Sequence, residues 1–321
     1  MKAIVRDTYG TADVLRYADV PRPAVGPDQV LVRVRACSLN FADRAALRGE
    51  PAVTRLAWGL RRPKEPILGR DVAGTVVEVG AKVTRWQPGD DVFGETEQRG
   101  FAEYVAAPAD HLARKPAGVA FEQAATLPVA ATTALQALRL GGVEAGSRVL
   151  VNGASGGVGT FAVQLAADLG AQVTGVCSTR NTELVRSLGA EVVDYTRVDF
   201  TRGDRSYDVI VDLAGGHRLA ALRRVLAPGG VYLSGSGSGG RVLGPLPHLL
   251  TVTALGAVTR QRLLVVAARR DTADLDHLAG LVAAGRITPV IEAVSPLAQA
   301  PGVFRALDTD HARGKIVLTC G

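Results

Sequence analysis

In the first part of the chain apolar residues fall in short runs or partial alternation, the pattern of half-buried strands. Lys2 to Val5, Gln29 to Ala36 and Ala73 to Gly80 read this way. Pro21-Arg22-Pro23, Val25-Gly26-Pro27-Asp28 and Trp86-Gln87-Pro88-Gly89-Asp90-Asp91 separate them as turns. Irregular text from Glu50 to Pro66 predicts a loop, either overhanging a cleft or an ordinary surface connection. Around Phe121 the period changes to that of alanine-rich helix, through Phe121 to Thr126 and then Val129 to Leu140. From Gly146 strand and helix alternate: Arg148 to Val151, Gly157 to Leu169, Gln172 to Val176, Thr182 to Leu188, Glu191 to Val193, Asp208 to Leu213, Arg218 to Leu226 and Gly230 to Ser234. Such alternation predicts a parallel sheet with helices on both faces. After a helical Thr272 to Ala284, the β-type runs Ile287 to Val294 and Lys315 to Thr319 predict that the first module is completed from the chain's end.

One junction in this pattern carries chemistry. Between the strand Arg148 to Val151 and the helix beginning near Gly157 lies Asn152-Gly153-Ala154-Ser155-Gly156-Gly157-Val158-Gly159. Glycines there permit a tight turn and a close backbone approach to a pyrophosphate, while first-turn amides of the helix point at anionic oxygens. Gly170 ends the helix and Gln172 to Val176 supplies the next strand, so a βαβ unit of the right size surrounds the turn and predicts dinucleotide binding. NAD-specific turns place an acid about 20 residues further on, against the ribose 2′-hydroxyl. That place reads Cys177-Ser178-Thr179-Arg180-Asn181, with no carboxylate before Glu183. Ser178 and Arg180 suit a 2′-phosphate, which predicts NADPH; the other reading has Ser178 capping a helix and Arg180 in solvent. The tract Ser234 to Gly240 follows a strand's carboxyl end and reads as a ligand-side loop.

Composition narrows the alternatives. The chain has 321 residues, enough for two domains, with 47% apolar and 21% charged residues. No apolar run reaches membrane-spanning length, and Met1 to Val5 runs into Arg6 and Asp7 unlike a secretory leader, so a cytoplasmic, non-membrane protein is expected. Cys37, Cys177 and Cys320 are too few for a disulfide framework or thiolate cluster. Arg61-Arg62-Pro63-Lys64 and Arg269-Arg270 lack interleaved aromatics, which disfavours a nucleic-acid face despite the net charge of +6. His111, His217, His248, His277 and His311 share no metal-ligand spacing.

Five stretches together resemble the medium-chain dehydrogenase/reductase superfamily, in its zinc-independent quinone-oxidoreductase branch. They are Ala36 to Asp43, Leu68-Gly69-Arg70-Asp71-Val72-Ala73-Gly74, Leu127 to Ala134, the glycine turn, and His311 to Val317. The resemblance implies an α/β fold: a doubly wound (Rossmann) sheet over residues 122–266, plus a β-rich GroES-like catalytic domain from 1–121 and 267–321. Zinc members carry a ligand cysteine and a Gly-His-Glu where this chain has Asn40 and Gly69-Arg70-Asp71. An amide and a guanidinium are not zinc ligands, so no metal is expected. Hydride transfer alone suits an electron-poor C=C, in a quinone or an α,β-unsaturated carbonyl, whose enolate oxygen is stabilised by hydrogen-bond donors.

By the same resemblance Asn40 and Thr133 lie near substrate and nicotinamide, with Thr133 also a cofactor contact. Asp43 stands as either a proton donor or a structural cap, and Tyr104 as either a cleft or a packing residue. Asn152, Gly153, Ala154, Ser155, Gly156, Gly157, Val158 and Gly159 hold the phosphates. Cys177, Ser178, Arg180 and Tyr195 line the ribose end, and Ala214, Gly215, Ser234, Gly235 and Lys315 add further cofactor contacts. The apolar stretch Leu249 to Val258 resembles the segment that pairs edge strands in a homodimer; the alternative is burial within one chain. Enoyl-thioester reduction is the rival activity, and a nicotinamide-bound regulatory or nucleic-acid-binding protein the rival class.

Overall fold

The computed structural model describes residues 1–235, 240, 242–256, 259–309 and 313–321, apart from the side chain of Thr309. Most of the tract Ser234 to Gly240, the end of the apolar stretch at Ala257 and Val258, and His311 with Ala312 therefore lie outside the described residues. The chain divides into two compact units, Met1–Thr132 with Arg270–Gly321, and Thr133–Arg269. No described helix is long and apolar enough to cross a membrane.

The first unit begins with a small antiparallel pair, β1 (Lys2–Val5) and β2 (Arg16–Asp19). Its main strand is β3 (Gln29–Ser38), followed by β4 (Asp71–Val79), β5 (Asp91–Glu95), β6 (Tyr104–Pro108) and β7 (Leu112–Arg114). Alternation explains β3: Val30, Val32 and Val34 enter the core while Arg33 and Arg35 stay outside. Both edges of β3 are used. One carries β4, and the other is shared between β6 at Gln29 to Arg33 and the returning C-terminal strand at Ala36 to Ser38.

In the second unit, β8 (Arg148–Asn152), β9 (Gln172–Cys177), β10 (Glu191–Asp194), β11 (Tyr207–Asp212), β12 (Leu226–Ser234) and β13 (Arg262–Val265) form one parallel sheet. Its order is β10-β9-β8-β11-β12-β13. The order reverses between β8 and β11, the switch point at which open α/β sheets bind ligands beyond their strand carboxyl ends. The chain then returns to the first unit through β14 (Ile291–Pro296) and β15 (Lys315–Thr319), giving a sheet ordered β14-β15-β3-β4-β5-β7, with β6 also on β3.

Two expectations change here. The segment Phe121–Ala124 and the π-helical turn Leu127–Ala131 pack on β3, β4 and β5, so the first unit extends to Thr132 instead of ending at 121. Over its described residues, Leu249 to Gly256, the apolar stretch is not an edge strand: Leu246–Gly256 forms a helix. Pro247 suits a first helical turn, and Val252 and Leu255, three apart, pack on the sheet core while Leu250 stays exposed. The strand at that edge of the sheet is the four-residue β13.

Candidate active site and nucleotide turn

Within the first unit, five polar residues from three segments far apart in sequence meet. β3 ends at Ser38, and Asn40 then precedes the helix Phe41–Arg48 as its N-cap. Asp71 opens β4 directly opposite Ser38, and Lys315 opens β15, which enters beside Leu39. Ser38, Asp43, Asp71 and Lys315 are buried; only Asn40 is partly exposed.

The contacts are complementary. One carboxylate oxygen of Asp71 accepts from Ser38 Oγ at 2.9 Å, Asn40 Nδ2 at 2.8 Å and Lys315 Nζ at 3.3 Å. Its other oxygen accepts the Val129 N–H at 3.1 Å, which ties the π-helical turn to the cluster. Lys315 Nζ also donates to Leu39 O at 2.8 Å and to Asn40 Oδ1 at 2.6 Å. Burial lowers the affinity of Lys315 for its proton, and the carboxylates of Asp71 and Asp43 oppose that. The ammonium is thus committed to three protein oxygens. These contacts make Lys315 a support of Asn40, while the cofactor contact assigned to it from sequence stays an expectation.

Asp43 accepts the Asn40 N–H at 2.8 Å through Oδ2, the side-chain half of a capping box. Its Oδ1 is buried and unpartnered. Burial above all pushes its carboxyl up to about 7, with Asp71 adding to the rise and the Asn40 N–H opposing it. The structural reading of Asp43 as a cap therefore has direct geometric support. Nearby, Arg70 bonds Glu95, and burial raises the Glu95 carboxyl. Tyr104 packs its ring under the Arg22 guanidinium, 4.3 Å from the ring centre.

In the second unit the predicted turn has the required shape. Gly153 adopts φ +89°, and a Cβ on Gly159 would lie 2.1 Å from the Gly153 carbonyl oxygen, so only glycine lets the helix Gly157–Asp168 start this close to the strand. The amides of Gly157, Val158 and Gly159 open that helix, where no intrahelical carbonyl is available to them. A cradle of this kind fits a pyrophosphate.

Other assigned residues brace the strand ends. Asn152 Nδ2 donates to Asp212 Oδ1 at 2.7 Å and to Gly215 O at 3.3 Å, and the Gly215 N–H reaches the same carboxylate at 2.9 Å. Asp212 Oδ2 accepts the Tyr232 hydroxyl at 2.9 Å, and burial followed by that carboxylate pushes the phenol well above its usual range. The Gly235 N–H binds Asp212 O, and Ser234 Oγ is buried without a partner. Ala214 sits against Gly153. Thr133 occupies the first turn of the helix Thr132–Gly141.

After β9, where the ribose end of the cofactor is expected, Ser178 precedes the short 3-10 turn Thr179–Asn181, which carries Arg180, and the Tyr195 N–H bonds Cys177 O at 3.1 Å, with the Tyr195 side chain exposed. Two residues here were missed from sequence. Buried Asn181 donates to Ser155 Oγ at 3.0 Å, joining the glycine turn to the end of β9. Asp194, at the end of β10, accepts from Thr179 Oγ1 at 2.6 Å, so a carboxylate does reach this edge, from the neighbouring strand. The register Asp194↔Cys177 brings it there, and a search along one strand does not find it.

Comparison with known proteins accords with this architecture. The family model described as alcohol dehydrogenase GroES-like domain matches residues 26–117, and that described as zinc-binding dehydrogenase matches residues 188–318. A mitochondrial NAD(P)H oxidoreductase of Mus musculus is 34% identical, over 99% of this chain and 89% of its own. The chain belongs to the medium-chain dehydrogenase/reductase superfamily, in its quinone-oxidoreductase branch. Another member, the chloroplastic NADPH-dependent alkenal/one oxidoreductase of Arabidopsis thaliana, is 32% identical over 99% of this chain and 79% of its own. The quinone oxidoreductase structure from Coxiella burnetii superimposes with a TM-score of 0.89 at 31% identity, covering 100% of this chain and 99% of that one. Like these relatives, this superfamily member is an oxidoreductase. Among its described residues no three His, Cys, Asp or Glu side chains are grouped to hold a metal ion.

Proposed function

We propose that this chain reduces the electron-poor C=C of a quinone or an α,β-unsaturated carbonyl with hydride from NADPH, and that it does so without zinc. The observation that carries the reading is the buried cluster at Asn40. Where the superfamily's zinc members place ligands, this chain has a hydrogen-bonded cluster that contains its own cation, Lys315. A second cation beside that ammonium would be repelled.

The glycine turn Gly153–Gly159 fits the pyrophosphate, and Ser178, Arg180 and Tyr195 are assigned to the 2′-phosphate. When bound, the reduced nicotinamide supplies hydride. Its electron pair forms the new C–H bond at the β-carbon, the C=C pair moves toward the carbonyl oxygen, and solvent protonates the resulting enolate. Asn40, the partly exposed member of the cluster, serves as hydrogen-bond donor to that oxygen. The relative named as an NADPH-dependent alkenal/one oxidoreductase supports both cofactor and substrate class. The decisive experiment follows NADPH and NADH oxidation against a benzoquinone, a naphthoquinone, an alkyl enone and an enoyl thioester, with products identified. Reduction of quinone or enone is expected. A thioester that outranks both would reassign the protein as an enoyl-thioester reductase, and absence of hydride transfer throughout would reject the enzyme reading.

A further inference from the structure

The side-chain amide of Asn40 has two chemically different ends, and its neighbours distinguish them. Oδ1 faces the ammonium of Lys315 at 2.6 Å, which can only donate. Nδ2 faces the carboxylate of Asp71 at 2.8 Å. A flipped amide would set NH₂ against an ammonium and C=O against a carboxylate, so one orientation is enforced. Asp71 is itself held by Ser38, Val129 and Lys315, and Lys315 by Leu39, so the two neighbours are fixed from behind. Nδ2 carries two hydrogens, and Asp71 takes one.

We infer that Lys315 and Asp71 are positioning residues that lock the Asn40 amide with its second N–H outward, and that Lys315 strengthens this N–H as a donor to the developing enolate oxygen. The physical basis is polarisation: an ammonium on an amide oxygen draws electron density from the nitrogen, so the remaining N–H becomes a better donor. A preset donor matters most where negative charge develops on oxygen during reaction. It therefore matters more for a basic alkyl enolate than for a hydroquinone anion, whose charge is delocalised. The inference rests on the proposed reduction and adds a rank order to it: enone turnover depends on this cluster more than quinone turnover does.

A double-mutant cycle tests it. Asn40→Ala is expected to lower kcat on an alkyl enone by about 100-fold or more, the scale of a lost oxyanion donor, and kcat on a benzoquinone by roughly tenfold. Lys315→Met is expected to lower enone kcat by about tenfold or more with the NADPH KM little changed, yet to have an effect under about threefold once Asn40 is already Ala. Lys315→Gln retains a donor for Asn40 Oδ1 without the charge and should fall between, which keeps the test open if the Met variant does not fold; melting temperatures report folding in each case. Equal losses on enone and quinone, or a Lys315 effect undiminished in the Asn40→Ala background, would overturn the inference while leaving the reductase reading intact. An unmodified protein that oxidises NADPH with neither substrate would overturn the reading itself, and the inference with it.

Discussion

Lys315 Nζ and Asn40 Oδ1 lie 2.6 Å apart although 275 positions separate them in the chain. The contact exists because β15 inserts against the end of β3, bringing a strand distant in sequence to the loop that starts the helix Phe41–Arg48. A buried ammonium in that position is tolerable only with Asp71 beside it.

Removal of Asp71 should therefore be costly. Asp71→Ala leaves the Lys315 charge buried without its counter-ion and unties Ser38, Asn40 and the Val129 N–H. A loss of about 3–5 kcal/mol is expected, the scale of a broken buried pair. Urea unfolding of both proteins at one pH measures it, and a loss below about 1 kcal/mol would show that the cluster is not coupled as described.

Asp43 predicts a pH-dependent stability. Its folded carboxyl sits at about 7 against an ordinary 3.8, so the folded state holds a proton that the unfolded state releases. The stabilisation is fully present below about pH 4 and is lost as pH rises through about 7. Relative to Asp43→Asn, which cannot ionise, the unmodified protein should lose on the order of 2–4 kcal/mol between pH 4 and pH 8. Parallel denaturant titrations that stay flat against each other would show the carboxyl to be ionised in the fold throughout.

Gly159→Ala tests the turn. With its Cβ placed 2.1 Å from a backbone oxygen, either the helix start or the turn must move. NADPH affinity is expected to fall at least about tenfold, or 1.4 kcal/mol, by calorimetric titration. Unchanged affinity and melting temperature would mean that the turn does not approach the phosphates.

Cofactor choice depends on Arg180. If its guanidinium makes a charge-assisted bond to the 2′-phosphate, Arg180→Ala should cost about 1.5–3 kcal/mol of NADPH binding and leave NADH nearly unaffected. Asp194 stands at the same edge, so Asp194→Asn should shift preference further toward NADPH by removing a nearby negative charge. Equal weakening of both cofactors by Arg180→Ala would end the assignment.

Assembly provides a last check. Among the described residues the four-residue edge strand β13 pairs only with β12, and a homodimer through the nucleotide-binding units is the expectation. Light scattering at micromolar concentration should give twice the 33.4 kDa chain mass. Val265→Pro should reduce it to the monomer: Val266 donates to Ser234 O on β12, so by alternation the Val265 N–H lies on the outer side of β13.

Local pattern was sufficient for the parts that local physics governs. Partial alternation identified Gln29 to Ala36 as a half-buried strand, glycine spacing located the strand-to-helix turn at 153–159, and alternating strands and helices identified a parallel sheet. The residue types at Asn40, Arg70 and Asp71, an amide, a guanidinium and a single carboxylate, led to the expectation of a site without zinc. Other features depended on which distant segments meet. Leu249 to Val258 has a composition equally suited to strand or helix, and for its described part, Leu249 to Gly256, contact with the sheet core decided for helix. Asp194 reaches Thr179 at the end of β9 through the register of β10 on β9, and Lys315 reaches Asn40 through the closure of β15 on β3. No local spacing encodes such pairings. Burial likewise converts Asp43 from an ordinary acid into one poised near neutrality, because desolvation penalises its charge only once the surrounding chain has excluded water.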